Sequence, residues 1–234
     1  MAISHTQHAE TLVSGSLEGV RASIALTPQM FELLSAGVYE DRILAIIREV
    51  SCNARDAMKE HSLNLGVDVS TLPKMEVWVP TAFEPTMHIR DYGTGLTKEQ
   101  VFEIFLSYGM STKTSSNELI GMFGIGSKSP LSYTDSFLVT SYKDGEMTMY
   151  NVYKDKGIPN IVKMGSTPTT EANGLKITVA VRSGDYYVFQ DRIRKFFRLF
   201  DFPVEFKNVE ITNPVVVLED NPLFKVVSGY ENGV

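Results

Sequence analysis

Apolar residues recur at helical spacing in the segment 41–61, where Ile43, Ile46 and Val50 are separated by three and four positions. This spacing predicts a long amphipathic helix that buries one stripe of its surface. A shorter helix is predicted before it at residues 27–35, where a threonine followed by a proline has the pattern of an N-cap and a first helical residue. The first part of the chain is therefore predicted to be helical.

Beyond the long helix the pattern changes to alternating apolar and polar positions, which predicts strands. The clearest case is the segment 136–153, where two alternating runs flank Asp144-Gly145, a pair typical of a hairpin turn. Helices at both ends, with mostly hairpin-connected strands between them, predict an α+β fold: a two-layer sandwich with helices on one face of a mostly antiparallel mixed sheet. The other predicted strands are Met75–Val79, Thr86–Arg90, Asn160–Lys163 and Lys176–Val181, and the later helices are Lys98–Leu106 and Tyr186–Phe200.

The composition is that of a globular domain, with 43% hydrophobic and 21% charged residues in 234 positions. This length suits one substantial core with a short additional segment. We therefore expect a flexible arm at residues 1–20, one domain at 21–210, and the start of a following domain at 211–234. The net charge of −6 gives no support for a nucleic-acid surface, so no nucleic-acid partner is predicted. The single cysteine, Cys52, fits a reducing compartment.

Candidate chemistry begins on the long helix, where Glu49, Asn53 and Asp56 fall within one narrow stripe beside the apolar face. A carboxylate and an amide one turn apart at the rim of a core can orient a water molecule. They can also hold a hard cation, which prefers oxygen ligands. A solvated helix face is the alternative interpretation of the same three residues.

A second candidate follows the predicted strand 86–90, which ends in Asp91-Tyr92-Gly93-Thr94-Gly95. Glycine permits positive φ and close backbone approach, so this corner can bring a ligand against the main chain. A carboxylate at the end of a strand can accept a hydrogen bond from an exocyclic amine such as that of adenine. Aspartate–glycine turns also occur in many loops that bind nothing.

The third candidate is a glycine-rich segment with Gly121, Gly124 and Gly126 before a predicted helix start. Clustered glycines in that position expose several N–H groups to an anion, which the helix dipole also favours. The segment is not a Walker A loop, because Ser127 stands where the lysine belongs, and its glycine order is the reverse of the Rossmann fingerprint. The alternative is a loop that merely turns.

The order of these three motifs resembles the N box, G1 box and G2 box of the Bergerat (GHKL) ATP-binding fold, which is shared by gyrase B, Hsp90, MutL and histidine kinases. At the level of a single family, the chain is similar to the N-terminal domain of the rIIA rapid-lysis proteins of T4-like phages, and the similar segments include REVSCNARDA and LIGMFGIGSKSPLSYTDSF. The similarity covers about residues 22–210, and Hsp90 and MORC ATPases are more distant.

This resemblance implies a Mg²⁺-ATP site. Glu49 corresponds to the base that activates the attacking water, Asn53 to the Mg²⁺ ligand, and Asp91 to the acceptor of the adenine amine. Asp56 belongs to the same implied nucleotide site. Gly93 and Gly95 correspond to residues that shape the base pocket.

The phosphates are implied to lie against the main chain of the glycine-rich loop and the two residues after it. These positions are Gly121, Met122, Phe123, Gly124, Ile125, Gly126, Ser127 and Lys128. Residues 107–120 correspond to the segment that covers ATP in this fold, the ATP lid, and Lys113 is its expected phosphate contact.

Two departures from the family pattern matter. Many members have threonine after the glycine of a late strand, where it reaches the adenine aspartate through water. Here Gly174 is followed by Leu175, and Thr178 is the expected substitute. Several dimeric members also use a lysine from a following domain to reach the γ-phosphate. The 234 residues are expected to be too few to include that domain, so we expect this chain to bind ATP well and to hydrolyse it slowly.

The function implied is Mg²⁺-ATP binding with slow hydrolysis, used as a conformational switch. The phage resemblance implies the host cytoplasm near the inner membrane, with peripheral membrane association and either a homodimer or an rIIB-like partner protein. The alternative is a non-hydrolysing binding module that acts through protein–protein contacts. A histidine kinase is less well supported, because His5 and His8 lie in a segment without helical periodicity.

Overall fold

The computed structural model describes residues 40–106, 126–211, 217–221 and 224–227, the last two segments by their backbone only. Several predicted features lie outside these residues: the arm 1–20, the helix 27–35, the lid 107–120 with Lys113, and Gly121–Ile125 of the glycine-rich loop. The helices are α1 (Arg42–Leu65), α2 (Lys98–Leu106) and α3 (Tyr186–Phe197), with 3-10 turns at Val69–Thr71 and Gly126–Ser132.

Within the described residues, seven strands form one sheet in the order β5-β4-β3-β6-β2-β1-β7. Every neighbouring pair is antiparallel except β1 and β7, which are parallel. The predicted α+β class and mostly antiparallel mixed sheet are thus confirmed. The strands are β1 (Met75–Trp78), β2 (Thr86–Arg90), β3 (Ser136–Lys143), β4 (Glu146–Asp155), β5 (Ile158–Pro168), β6 (Gly174–Ala180) and β7 (Val204–Lys207).

Two further strands in the described part of the chain, β8 (Val217–Asn221) and β9 (Phe224–Val227), pair with each other in a separate two-stranded sheet. They lie within the segment 211–234, which stays predicted to begin a following domain. Among the described helices, none combines the length and apolarity that a membrane crossing requires.

One face of the sheet supplies the core because side chains alternate along each strand. A single row of paired residues crosses five strands on this face, and every member is at most 7% exposed: Val77, Ile89, Ile177, Val139 and Tyr150. Ile46, Ile47 and Val50 of α1 belong to the same buried cluster. The helical stripe recognised in the sequence is therefore the surface that α1 packs against the sheet.

Helix α1 is held at both ends. Its N-cap, Asp41, accepts a hydrogen bond from the Leu44 N–H at 2.9 Å and forms an ion pair with Arg192 of α3 at 2.5 Å. It ends at Gly66, whose φ of 68° suits the left-handed conformation that closes many helices. The helix extends four residues beyond the predicted end at His61, because Gly66, and not an earlier residue, supplies this cap.

Two other boundaries differ from the prediction for physical reasons. Strand β5 is longer than Asn160–Lys163 because it pairs along the whole of β4, with a bulge at Met149/Tyr150. Its second half is exposed at the sheet edge, so no apolar alternation marks it. Helix α3 ends at Phe197, and the next residues tighten into a turn in which Phe200 N–H donates to the Phe197 carbonyl at 3.3 Å.

Candidate functional site

The stripe of polar residues on α1 meets the end of the glycine-rich loop at Glu49. A side chain at Gly126 would place its Cβ 2.6 Å from Glu49 Oε2, so the loop backbone lies directly against this carboxylate. The other oxygen, Oε1, accepts hydrogen bonds from the Arg48 guanidinium at 2.7 and 3.1 Å. One oxygen of Glu49 is therefore engaged by a neighbour on its own helix, and the other faces the loop.

Farther along the same helix face, α1 meets the corner after β2. Asn53 is exposed, and its side chain makes no hydrogen bond to the described residues. Asp56 pairs with Arg55 at 3.1 Å. At Ala57 the helix packs against Gly93, where an added Cβ would lie 3.1 Å from the alanine Cβ. About two turns of helix, or roughly 12 Å along the axis, separate Glu49 from Ala57.

The corner itself is organised around Asp91, which is only 6% exposed. Its Oδ1 accepts a hydrogen bond from the Gly93 N–H at 2.9 Å and another from the Leu175 N–H at 3.2 Å. Burial raises the pKa of this carboxyl to about 6, although the two main-chain bonds and the nearby Arg90 charge oppose the shift. The structure thus keeps a carboxyl group in a place where ionisation is costly.

Close backbone contacts fix the shape of this corner. Gly95 has a φ of 67°, and an added Cβ would overlap the Tyr142 carbonyl of β3. Gly174, at the start of β6, has a φ of 139°, and an added Cβ would overlap the Asp91 carbonyl. Glycine is required at both positions because these backbones touch.

The residues after Gly126 point into the protein. Ser127 Oγ and Lys128 Nζ donate to the Ile104 carbonyl in the last turn of α2, at 3.0 and 2.9 Å. Lys128 is 1% exposed, and burial lowers the pKa of its ammonium group to about 7. Lys128 therefore connects the 3-10 turn Gly126–Ser132 to α2, and its predicted contact with phosphate stays a prediction.

Thr178 is not brought to the Asp91 corner. Its hydroxyl lies 2.8 Å from His88 Nδ1, and both residues lie on the sheet face that points away from the core. The donor that reaches Asp91 from β6 is instead the main-chain N–H of Leu175. Sequence inspection missed this donor because every residue except proline carries one, so no residue type signals it.

Three predicted motifs thus lie along one helix face: the α1 stripe, the Asp91 corner and the end of the glycine-rich loop. A family model described as "Histidine kinase-, DNA gyrase B-, and HSP90-like ATPase" matches residues 46–176, which is more than half of the 234-residue chain. The chain belongs to this family. It is an ATP-binding, Hsp90-like ATPase domain.

Curated relatives of this ATPase domain include chaperone proteins. It is 27% identical over 185 residues to the chaperone protein HtpG of Bdellovibrio bacteriovorus, which covers 72% of the chain and 28% of HtpG. It is 30% identical over 141 residues to HtpG of Rhodococcus jostii, covering 52% of the chain and 22% of that protein. It is 26% identical over 147 residues to the mitochondrial 75 kDa heat shock protein of Rattus norvegicus, covering 55% and 21%.

The chain therefore spans between a fifth and three tenths of the length of these relatives. The matched range includes Glu49, Asn53, Asp91 and Gly126. These three relatives are chaperone and heat shock proteins, and the similarity to phage rapid-lysis proteins stays a prediction.

We predict that Gly95→Ala destabilises the ATPase domain more than Gly66→Ala. The two glycines share nearly the same φ, 67° and 68°, but only Gly95 faces a backbone carbonyl, whereas nothing lies within 4 Å of a Cβ at Gly66. Gly66→Ala should reduce the free energy of unfolding by about 1 kcal/mol, from backbone strain alone. Gly95→Ala should reduce it by roughly 2–4 kcal/mol, since steric overlap is added to the same strain. Urea unfolding measures both, and equal losses would show that the Tyr142 contact is unimportant.

Proposed function

We propose that this domain binds Mg²⁺-ATP along the α1 face, with the base at Asp91 and the phosphates near Gly126, and hydrolyses it slowly as a conformational switch. The observation that supports this most strongly is the position of Glu49 and Ala57 on one helix face. The first contacts the end of the glycine-rich loop, and the second contacts the Asp91 corner.

At the base end, Asp91 supplies the acceptor. The two main-chain bonds both use Oδ1 and fix the orientation of the carboxylate. The adenine amine donates to Oδ2 in this proposal. A hydrogen bond to a buried carboxylate is stronger than one between neutral groups, and guanine would present a carbonyl oxygen to the same carboxylate and be repelled.

At the phosphate end, Asn53 and Glu49 have separate roles. The Asn53 side chain is exposed and makes no hydrogen bond to the described residues. It therefore suits a single oxygen ligand to Mg²⁺, which usually takes few protein ligands when phosphates complete its shell. The described residues contain no cluster of three His, Cys, Asp or Glu side chains, so a dedicated protein cage for a metal is not the expected arrangement. Mg²⁺ would neutralise part of the phosphate charge. Glu49 Oε2 would orient the attacking water.

The biological setting belongs to this proposal as well. The resemblance of REVSCNARDA and LIGMFGIGSKSPLSYTDSF to phage rIIA proteins supports a role in the infected cell, peripheral to the inner membrane, with a homodimer or an rIIB-like partner. Because the chain spans 28% or less of the HtpG and heat shock relatives described above, we do not extend their chaperone names to it.

We predict that Asp91→Asn weakens ATP binding by about tenfold or more, because the amide cannot replace a charged acceptor at the adenine amine. Isothermal titration calorimetry with a non-hydrolysable ATP analogue measures the change. Asp135→Asn is the matched control, since that aspartate also lies directly next to a strand but its side chain is 95% exposed. An unchanged dissociation constant for folded Asp91→Asn would exclude Asp91 as the adenine acceptor.

We also predict that Glu49→Gln retains ATP binding within about threefold while hydrolysis falls by roughly 10²–10⁴-fold, as expected for loss of a general base. Steady-state phosphate release measures the rate, and calorimetry measures the binding. Glu60→Gln, an exposed position on the same helix, is the control.

Two results would contradict the role of Glu49. A parallel loss of binding would indicate a structural or metal-binding residue. Phosphate release by the parent at background level would indicate the non-hydrolysing binding module, a function that the engagement of Glu49 Oε1 by Arg48 favours.

A further inference from the structure

Arg90, the residue before Asp91, is 3% exposed. It alternates with the core residue Ile89 on β2, so its side chain lies on the sheet face away from the helices. In the described part of the chain, it forms no ion pair with an acidic side chain. Burying a guanidinium without a carboxylate partner is costly unless other groups accept its hydrogen bonds.

The partners of this guanidinium are two main-chain carbonyls and two aromatic rings. Nη1 donates to the Asp91 carbonyl, and Nη2 donates to the Ala172 carbonyl at 2.5 Å. The guanidinium carbon lies 4.0 Å from the centre of the Tyr142 ring and 4.7 Å from that of Tyr92. The planar group therefore links the end of β2 to the segment that leads into β6, while the rings exclude water.

This link lies next to a hydrogen bond that Asp91 accepts from the start of β6. Ala172 lies two residues before Gly174, whose backbone touches both the Asp91 carbonyl and Arg90. The next residue, Leu175, donates its N–H to Asp91 Oδ1. The arginine thus fixes the position of a main-chain donor that in turn fixes the orientation of the aspartate.

We propose that Arg90 is a positioning residue for base recognition: it holds residues 172–175 so that Asp91 presents its second oxygen to the exocyclic amine of a 6-aminopurine nucleotide. This inference rests on the proposed function, because it assumes that Asp91 accepts from the base. It extends that function by assigning selectivity for the amine to a residue on the far face of the sheet, which does not touch the nucleotide.

The experiment compares ATP with purine riboside triphosphate, which lacks the amine and is otherwise the same. The ratio of their dissociation constants isolates the contribution of the amine. In the parent this ratio should be about ten or more, as expected for a charge-assisted hydrogen bond. Arg90→Lys keeps the charge but lacks the planar guanidinium whose two separate nitrogens bond the two carbonyls, so the ratio should fall to within about threefold of one.

Binding of purine riboside triphosphate itself should change by less than about threefold in Arg90→Lys, because the phosphate contacts are distant from Arg90. Arg90→Met removes the charge as well, and the ratio of the two dissociation constants should again fall to within about threefold of one. Lys176→Met is the matched control, since Lys176 is the paired neighbour of Arg90 on β6, and its ratio should equal that of the parent. If Arg90→Met does not fold, Arg90→Lys alone decides the question, with the Leu175 amide resonance reporting whether that donor has moved.

The possible outcomes distinguish failure of the inference about Arg90 from failure of the proposed role of Asp91. A parent ratio near ten that persists in Arg90→Lys would overturn the inference, and would leave Arg90 a structural residue while the role of Asp91 stands. Equal losses for both nucleotides would overturn it in the same way. A parent ratio near one would show that the amine is not recognised, which removes the proposed role of Asp91 and the inference together.

Discussion

The hydrogen bonds from Gly93 and Leu175 to one oxygen of Asp91 are the constraint on which the rest of this site depends. The bond from Gly93 closes the corner after β2, and the bond from Leu175 joins this corner to the start of β6, where the backbones approach closely. That approach leaves no room for a side chain at Gly174, and the neighbouring contact with β3 leaves none at Gly95. Gly95 and Gly174 are therefore required by the close backbone contacts around the corner that holds this carboxylate.

Holding this carboxylate in the protein has an energetic consequence. Its pKa is raised from 3.8 to about 6, so the folded state binds a proton more tightly than the unfolded chain does. The contribution of Asp91 to the free energy of unfolding is accordingly greatest below about pH 4 and declines as the pH rises to about 6. At neutral pH the group is ionised in a buried position. A structure that retains a destabilising charge in a corner lined by main-chain donors has the character of a binding site.

Much of this arrangement could be predicted from the sequence, and the parts that could not share a physical origin. Local periodicity predicts the apolar stripe of α1, strand β2 and helix α2. Glycine spacing predicts the places of close backbone approach, at the corner after β2 and at the end of the glycine-rich loop. Thr178 was expected to replace the family's threonine near Asp91, but in the structure its hydroxyl bonds to His88, and the residue of β6 that donates to Asp91 is Leu175, through its backbone N–H. No pattern in the sequence marks Arg90 as a residue of the site. The role proposed for Arg90 depends on the Ala172 carbonyl and the Tyr142 ring, which are distant in sequence and which the pairing of the strands brings close to it.

The most direct test is a ¹³C NMR titration of the Asp91 carboxyl group with and without saturating ATP. Without nucleotide, the carboxyl should titrate with a pKa of about 6. An amine that donates to the charged form stabilises it, so with ATP bound the resonance should remain that of a carboxylate well below this pH. Because the measurement observes one residue, titration of the phosphates does not obscure it. An identical titration curve in the presence and absence of ATP would contradict the assignment of Asp91 as the adenine acceptor.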